Sequence, residues 1–217
     1  MGNAMQHLGR WSSLSGVVFA VLGIAAFGSA SGAPGTKASG ESVIAFVKAH
    51  HAAMQTSDVL WILAFAFLVF FAGTLRTVFR GAPEADSVAA VVLAGAAMFA
   101  VGASVYFGMD FVLGADGSHL APAAAQALNA LALTLVLPLC IGGFVFGIAS
   151  GVAILRTTQL PHWLGWLAVV LGLVAVTPAA LGAVFGYLIW AAIVSILVFR
   201  RGASYAGASS ERDASGD

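Results

Sequence analysis

Charged residues and cysteines are scarce in this chain of 217 residues. Lysine, arginine, aspartate and glutamate make up only 8% of it, nine basic against nine acidic, whereas a typical soluble domain carries about 25%. So few charges cannot cover the surface of a soluble domain, and zero net charge leaves no basic patch for a nucleic acid. The single cysteine, Cys140, excludes an internal disulfide and any metal site built from several cysteines.

Hydrophobic residues, in contrast, make up 60% of the chain. A bilayer core of about 30 Å requires about 20 apolar helical residues to cross it, and lipid leaves closed helices as the spanning form for segments that lack strand-like alternation. The sequence therefore predicts an all-α, polytopic bundle of six transmembrane helices within residues 1–201. The predicted spans lie near 12–30, 58–77, 87–113, 123–155, 162–181 and 183–199.

Two segments between and after the spans have their own patterns. From Glu41, apolar residues recur at helical spacing as far as Met54, which predicts a short amphipathic helix on the outer surface between spans 1 and 2. Ser57 and Asp58 then provide an N-cap for the second span. Residues 202–217 are rich in Gly, Ser, Ala and charge, which predicts a disordered cytoplasmic tail.

Basic residues near the span ends predict the orientation, because they concentrate on the cytoplasmic side. With both termini inside, seven basic residues are cytoplasmic and two, Lys37 and Lys48, are outside; the seven are Arg10, Arg76, Arg80, Arg156, Arg200, Arg201 and Arg212. The same arrangement predicts aromatic belts, with Trp11, Trp163 and Trp166 at the inner interface and Trp61, Tyr106 and Tyr187 at the outer one.

The first span has an alternative interpretation as a cleaved secretory signal. Arg10 precedes the apolar run, and Gly28-Ser29-Ala30 resembles a small-residue cleavage site. The apolar run is long for a signal peptide, which favours a retained span.

The junction between the fourth and fifth spans carries a family resemblance. Leu155-Arg156-Thr157 is followed by Leu160-Pro161 and then by Trp163-Leu164-Gly165-Trp166, and the fourth span begins with Gln126-Ala127-Leu128-Asn129. The chain resembles a group of actinobacterial six-span membrane proteins classed as a domain of unknown function. That resemblance implies a six-helix fold in a bacterial plasma membrane, and it brings no activity or catalytic residue.

Ionisable residues inside a membrane are functional hypotheses by default. The middle of every predicted span lacks them, which argues against a proton relay, a voltage sensor or a bis-His haem. The polar residues lie instead at the outer ends of the spans, where we expect them to converge on an outward-facing pocket. The candidate ligand-binding residues are Asp110, Gln126, Asn129, His50 and Asp58, and the candidate metal ligands are His50, His51 and His119.

Structural roles compete with these functional ones. Asp58 can serve as an N-cap alone, Asp110 can pair with Lys48, and Gln126 and Asn129 can form interhelical hydrogen bonds. Adjacent helical residues such as His50 and His51 point about 100° apart, which disfavours a shared metal ion.

The fourth predicted span contains a glycine ridge and a proline. Gly143, Gly147 and Gly151 allow a neighbouring helix to approach closely, either within the bundle or in a homo-oligomer. Pro138 leaves the carbonyl of Thr134 without its helical partner and predicts a kink.

No catalytic motif is present in the sequence. The segment around Ser150 departs from the motif of serine intramembrane proteases at Ile148, and the last span has no His to act as a base. The sequence predicts no cofactor and a non-enzymatic protein that binds a small or lipid-like molecule, or a membrane partner, near its outer face. Two alternatives stay open: a transporter or channel for an uncharged solute, and a metal-dependent enzyme acting on lipid.

Overall fold

The computed structural model describes residues 13–29, 34–80 and 85–214, the last thirteen by backbone alone, and these residues are helical with no strand among them. The α-helices, numbered in chain order, are α1 (Ser15–Ser29), α2 (Gly40–Phe79), α3 (Asp86–Asp116), α4 (Pro122–Thr134), α5 (Val136–Leu155), α6 (His162–Ala175) and α7 (Ala180–Ala214), and a 3₁₀ turn, Gly117–His119, follows α3. Arg10, Trp11 and both edges of the first predicted span, Ser12 and Ala30, lie outside the described residues.

Within the described residues, four helical segments are long and apolar enough to cross a membrane: Gly40–Phe79, Asp86–His119, Pro122–Leu155 and Ala180–Arg201. The apolar helices α1 and α6 are shorter. At 1.5 Å per residue, the 15 residues of α1 rise about 22 Å, which is less than a bilayer core of about 30 Å. Helix α6 ends at Ala175, six residues before the predicted end of the fifth span.

Large apolar side chains face outward from the bundle, as lipid-facing residues do. More than half of the surface of each of these side chains is exposed: Val21, Ile24, Phe27, Phe70, Val101, Leu137, Trp163, Trp166, Leu181 and Ile189. Trp61 and Tyr187, which the sequence assigned to the outer aromatic belt, are buried in the core and do not face outward. Tyr187 donates a hydrogen bond of 2.7 Å to the carbonyl of Gly143.

Helix α5 lies between α3 and α6, and glycines permit both contacts. On one side, a methyl group added to Gly142 would meet the backbone of Phe99 in α3. On the other side, one added to Gly147 would meet the Tyr187 hydroxyl and, at 2.8 Å, the carbonyl oxygen of Ala168 in α6. The ridge of Gly143, Gly147 and Gly151 is therefore buried inside the bundle, where it permits close helix contacts.

Helix α2 is continuous over 40 residues and begins at Gly40, after the N-cap residue Ser39, whose side chain accepts a hydrogen bond from the Ser42 amide. Two predictions are wrong here: the amphipathic segment is not a separate helix, and Asp58 lies inside α2 instead of capping it. The reason is that no Gly or Pro occurs between Gly40 and Gly73 to interrupt the helix.

The first turns of α2 pack against α4 and the end of α3 in a small apolar cluster separate from the main core. Its buried members are Val43, Val47, Met54, Leu113 and Ala125. We call this assembly the cap, and we call the end of the bundle that carries it the His119 end. Because α2 is about 60 Å long, the cap extends the helix beyond what one bilayer crossing requires.

The predicted kink at Pro138 is confirmed. The helix is interrupted at Leu135, between α4 and α5, one residue after Thr134. Helix α7 continues to Ala214, so the backbone is helical over residues 202–214, where the sequence predicted disorder. The alanines of this segment favour a helix, and the overall composition does not reveal that preference.

Candidate ligand-binding site

Helices α2 and α3 run antiparallel at the His119 end, and two contacts define their register. A methyl group added to Gly114 would lie 3.5 Å from Cβ of Met54. The rings of Trp61 and Phe107 stack with centroids 5.4 Å apart and planes 8° apart. Asp58 lies four residues after Met54 and three before Trp61, and Asp110 occupies the mirrored position on α3. The two carboxyl groups therefore face one another across the helix pair and interact electrostatically.

Asp58 is buried, with 2% of its surface exposed. Its Oδ2 atom is shielded and has no hydrogen-bond partner among the described residues. Asp110 is partly buried. No Lys, Arg or His of residues 34–80 or 85–201 lies within ion-pair distance of either carboxylate. Buried carboxylates without a counter-charge are costly, so this pair calls for a positively charged or hydrogen-bonding partner.

Tyr106 joins the two carboxylates to the apolar interior. It precedes Asp110 by one helical turn, so the two side chains share a face of α3, and it lies near both Asp110 and Asp58. Its ring meets the edge of Phe107 at a centroid distance of 4.9 Å. The polar group of three residues, Asp58, Asp110 and Tyr106, is called the acidic cluster below.

Two cavities adjoin the acidic cluster at Tyr106, which lines both, whereas Asp58 and Asp110 lie beyond their walls. The first, about 140 Å³, is lined mainly by rings, and we call it the aromatic cavity; its rings are those of Phe27, Trp61, Phe65, Tyr106, Phe107 and Phe185. The second, about 640 Å³, is called the large cavity, and it lies between α5 and the turn from α6 to α7. It opens on the outward-facing surface of the bundle, because Leu137 and Leu181 in its wall are exposed. Tyr106, Val136 and Leu181 line both cavities, so the two spaces are neighbours.

The interrupted helix shapes the large cavity. Leu133, on the α4 side of the break, and Val136 and Leu137, on the α5 side, all contribute to its wall. Cys140 also lines it and is 8% exposed. A volume of about 640 Å³ is within the range of roughly 300–1,000 Å³ usual for small-molecule sites.

The other predicted site residues do not join the acidic cluster. Asn129 is buried, and its Nδ2 donates a hydrogen bond of 3.1 Å to the carbonyl of Gly35, which ties α4 to the segment before α2. Gln126 is exposed. His50 is also exposed, stacks on Phe46 at a centroid distance of 4.4 Å, and has its Nδ1 3.0 Å from the Phe46 carbonyl oxygen.

The metal-site prediction gains no support from the geometry. His51 and His119 are exposed. No group of three or more His, Cys, Asp or Glu residues in the described part of the chain is arranged to hold a metal ion.

Sequence reasoning missed two residues of the site, Trp61 and Tyr106, by assigning them to an interfacial belt. Their spacing contains the signal: Tyr106 lies one turn before Asp110, and Trp61 lies one turn after Asp58, so each shares a helix face with a carboxylate. These two helix faces form one site only because the register between α2 and α3 brings them together.

The part of the chain that the structure describes is all-helical, with four segments able to span a membrane. Comparison with known proteins identifies no relative: no protein-family model, no curated protein and no solved structure matches the chain.

Proposed function

We propose that this protein is a multi-pass membrane protein that binds a small amphipathic molecule in the outer half of the membrane, without catalysis. One observation carries the proposal: the shielded, unpartnered Oδ2 of Asp58 belongs to an acidic cluster that adjoins two apolar cavities. A polar group on the ligand would satisfy the carboxylates, and its apolar body would fill the cavities.

The proposal includes six spans in a bacterial plasma membrane with both termini in the cytoplasm, as the family resemblance and the basic residues imply. In that arrangement α1 and α6 serve as short spans beside the four long ones. The His119 end then faces the outside, and the cap lies over the outer leaflet.

Native mass spectrometry of the full-length protein, extracted in a mild uncharged detergent, tests the binding. We expect a discrete co-purified mass on the wild type, reduced in Asp58→Asn and Asp110→Asn. Asp116→Asn is the matched control, because Asp116 is an exposed carboxylate at the end of the same helix as Asp110. Identical bound masses on all four proteins would show that the acidic cluster is not the binding site.

A transporter for an uncharged solute is the second candidate, and the interrupted helix favours it. Residues on both sides of the break at Leu135 line the large cavity, and interrupted helices form the substrate sites of many transporters. Solute uptake into proteoliposomes would separate transport from binding alone.

A further inference from the structure

We infer that the ligand of this site is an amphipathic organic cation, whose charged head lies in the aromatic cavity next to Asp58 and Asp110 and whose apolar body occupies the large cavity. This inference rests on the proposed binding function and specifies the chemical class of the ligand.

The sign of the charge follows from the acidic cluster. Two carboxyl groups face each other across α2 and α3, and no cationic side chain of residues 34–80 or 85–201 pairs with them. An anionic head could lie here only beside carboxyl groups that both carry a proton, because repulsion between like charges is strong in this low-dielectric region. A cationic head would instead stabilise the ionised form of the carboxyl groups and provide the partner that Asp58 Oδ2 lacks.

The aromatic cavity favours an organic cation over a metal ion. Its ring-lined wall begins one helical turn from each carboxylate, at Trp61 on α2 and at Phe107 and Tyr106 on α3. Aromatic faces attract alkylammonium groups and can surround them, as in cages that bind quaternary ammonium ligands. A Ca²⁺ ion requires six to eight oxygen ligands, whereas the aromatic cavity offers mostly carbon.

The large cavity accounts for the apolar body of the ligand. It shares Tyr106, Val136 and Leu181 with the aromatic cavity, so a chain that starts from a head in the smaller space continues into the larger one. Polar atoms are few along its wall, which consists mainly of Leu, Val, Ile and Ala side chains. A short alkyl chain therefore suits this space better than a polar one does.

Equilibrium dialysis of hexyltrimethylammonium against the full-length protein tests the inference. The protein is held in an uncharged maltoside detergent, and binding to protein-free micelles is subtracted. The comparison probe is the neutral isostere with a tert-butyl group in place of the trimethylammonium group. We expect saturable binding of the cation that is about tenfold or more tighter than that of the isostere, because a buried charge pair is worth at least that much.

Variants assign the effect to the acidic cluster. Asp58→Asn and Asp110→Asn should each weaken cation binding about tenfold or more, and Asp116→Asn should leave it unchanged. Trp61→Leu should weaken binding of the cation more than that of the isostere, because it removes a cation–π partner. Melting temperatures identify a variant that fails to fold; Asp110, which is only partly buried, then carries the test.

Each outcome decides between the two proposals. Preference for the cation that is lost in the aspartate variants supports the inference. Equal binding of both probes, unaffected by Asp58→Asn and Asp110→Asn, would show that the ligand need not be a cation. The proposed binding of an amphipathic molecule would then remain. Saturable binding of neither probe overturns the inference, and the co-purified mass in native mass spectrometry then decides separately on the proposed binding function.

Discussion

At the scale of single residues, the positions that tolerate no change are the glycines where backbones touch. Gly40 begins α2, and a methyl group added there would meet the backbone carbonyl of Pro122 at the start of α4. A backbone carbonyl cannot rotate away as the end of a side chain can. The contact between α2 and α4 therefore depends on the absence of a side chain at Gly40.

Gly40→Ala should lower the melting temperature of the protein, because α2 and α4 must separate to admit the added carbon. The expected cost is about 1–3 kcal/mol, as for other overpacked sites. Gly73→Ala is the matched control on the same helix: a methyl group there would have nothing within 4 Å, and alanine favours the helix by about 1 kcal/mol. Equal melting temperatures for the two variants would contradict the close contact.

Asp58 shows why residue-level patterns alone did not define the site. Ser57-Asp58 has the composition of an N-cap, but a local pattern cannot reveal that the helix has already started at Gly40. The side-chain hydroxyl of Ser57 instead donates a hydrogen bond of 3.0 Å to the Ala26 carbonyl in α1. Asp58 and Asp110 come together because α2 and α3 are antiparallel neighbours, although Asp58 lies inside α2 and Asp110 lies six residues before the end of α3. The register that makes them face each other depends on tertiary contacts such as that of Trp61 with Phe107.

At the scale of elements, two features of the same segment shape the large cavity: the interruption of the helix at Leu135 and the packing of α5 on two sides. Pro138 predicted the interruption directly, since a proline removes one backbone donor. The glycine ridge likewise predicted a close helix neighbour, but small residues do not specify which helix approaches. In the structure, α6 covers the ridge and α3 covers the opposite side. The space left beside the interruption is the large cavity.

Pro138→Ala should restore the missing backbone hydrogen bond and straighten the path from α4 to α5. Because the Pro138 side chain is exposed, we expect little loss of packing and a melting temperature that is unchanged or higher. Cys140, the single cysteine, lines the large cavity, and its labelling by N-ethylmaleimide should slow as that wall moves inward. Mass spectrometry follows the labelling.

Pro161→Ala serves as the control for the proline experiment. Pro161 is the N-cap residue of α6, where a missing backbone donor costs little, so labelling of Cys140 should be unchanged. Labelling of Pro138→Ala at the wild-type rate, with no change in helical content by circular dichroism, would show that the proline does not cause the interruption.

At the scale of the whole molecule, composition alone was sufficient to predict a helical membrane protein. Sparse charge and long apolar runs are compatible with few other classes of protein. The four long apolar segments among the described residues agree with this prediction. The number of crossings was harder to predict, because α1 and α6 are apolar but short. Whether a helix of 14 or 15 residues crosses depends on the thickness of the membrane around it, which sequence patterns do not contain.

Reporter fusions test the proposed topology. With six spans and seven of nine basic residues inside, a fluorescent protein that folds only in the cytoplasm should be bright at either terminus. Alkaline phosphatase, active only outside, should be inactive at both termini and active when inserted after Lys37. If the reporters place the two termini on opposite sides of the membrane, the number of spans must be odd, and the six-span proposal would be overturned.

The continuity of α2 also has a mechanical consequence. One uninterrupted rod carries the cap at one end, Asp58 near its middle and the main core at the other end. Such a rod acts as a lever: a force applied to the cap tilts the segment that holds Asp58, and a displacement at Asp58 moves the cap. A molecule bound at the acidic cluster would thus be reported on the surface of the protein without any flexible joint between the two.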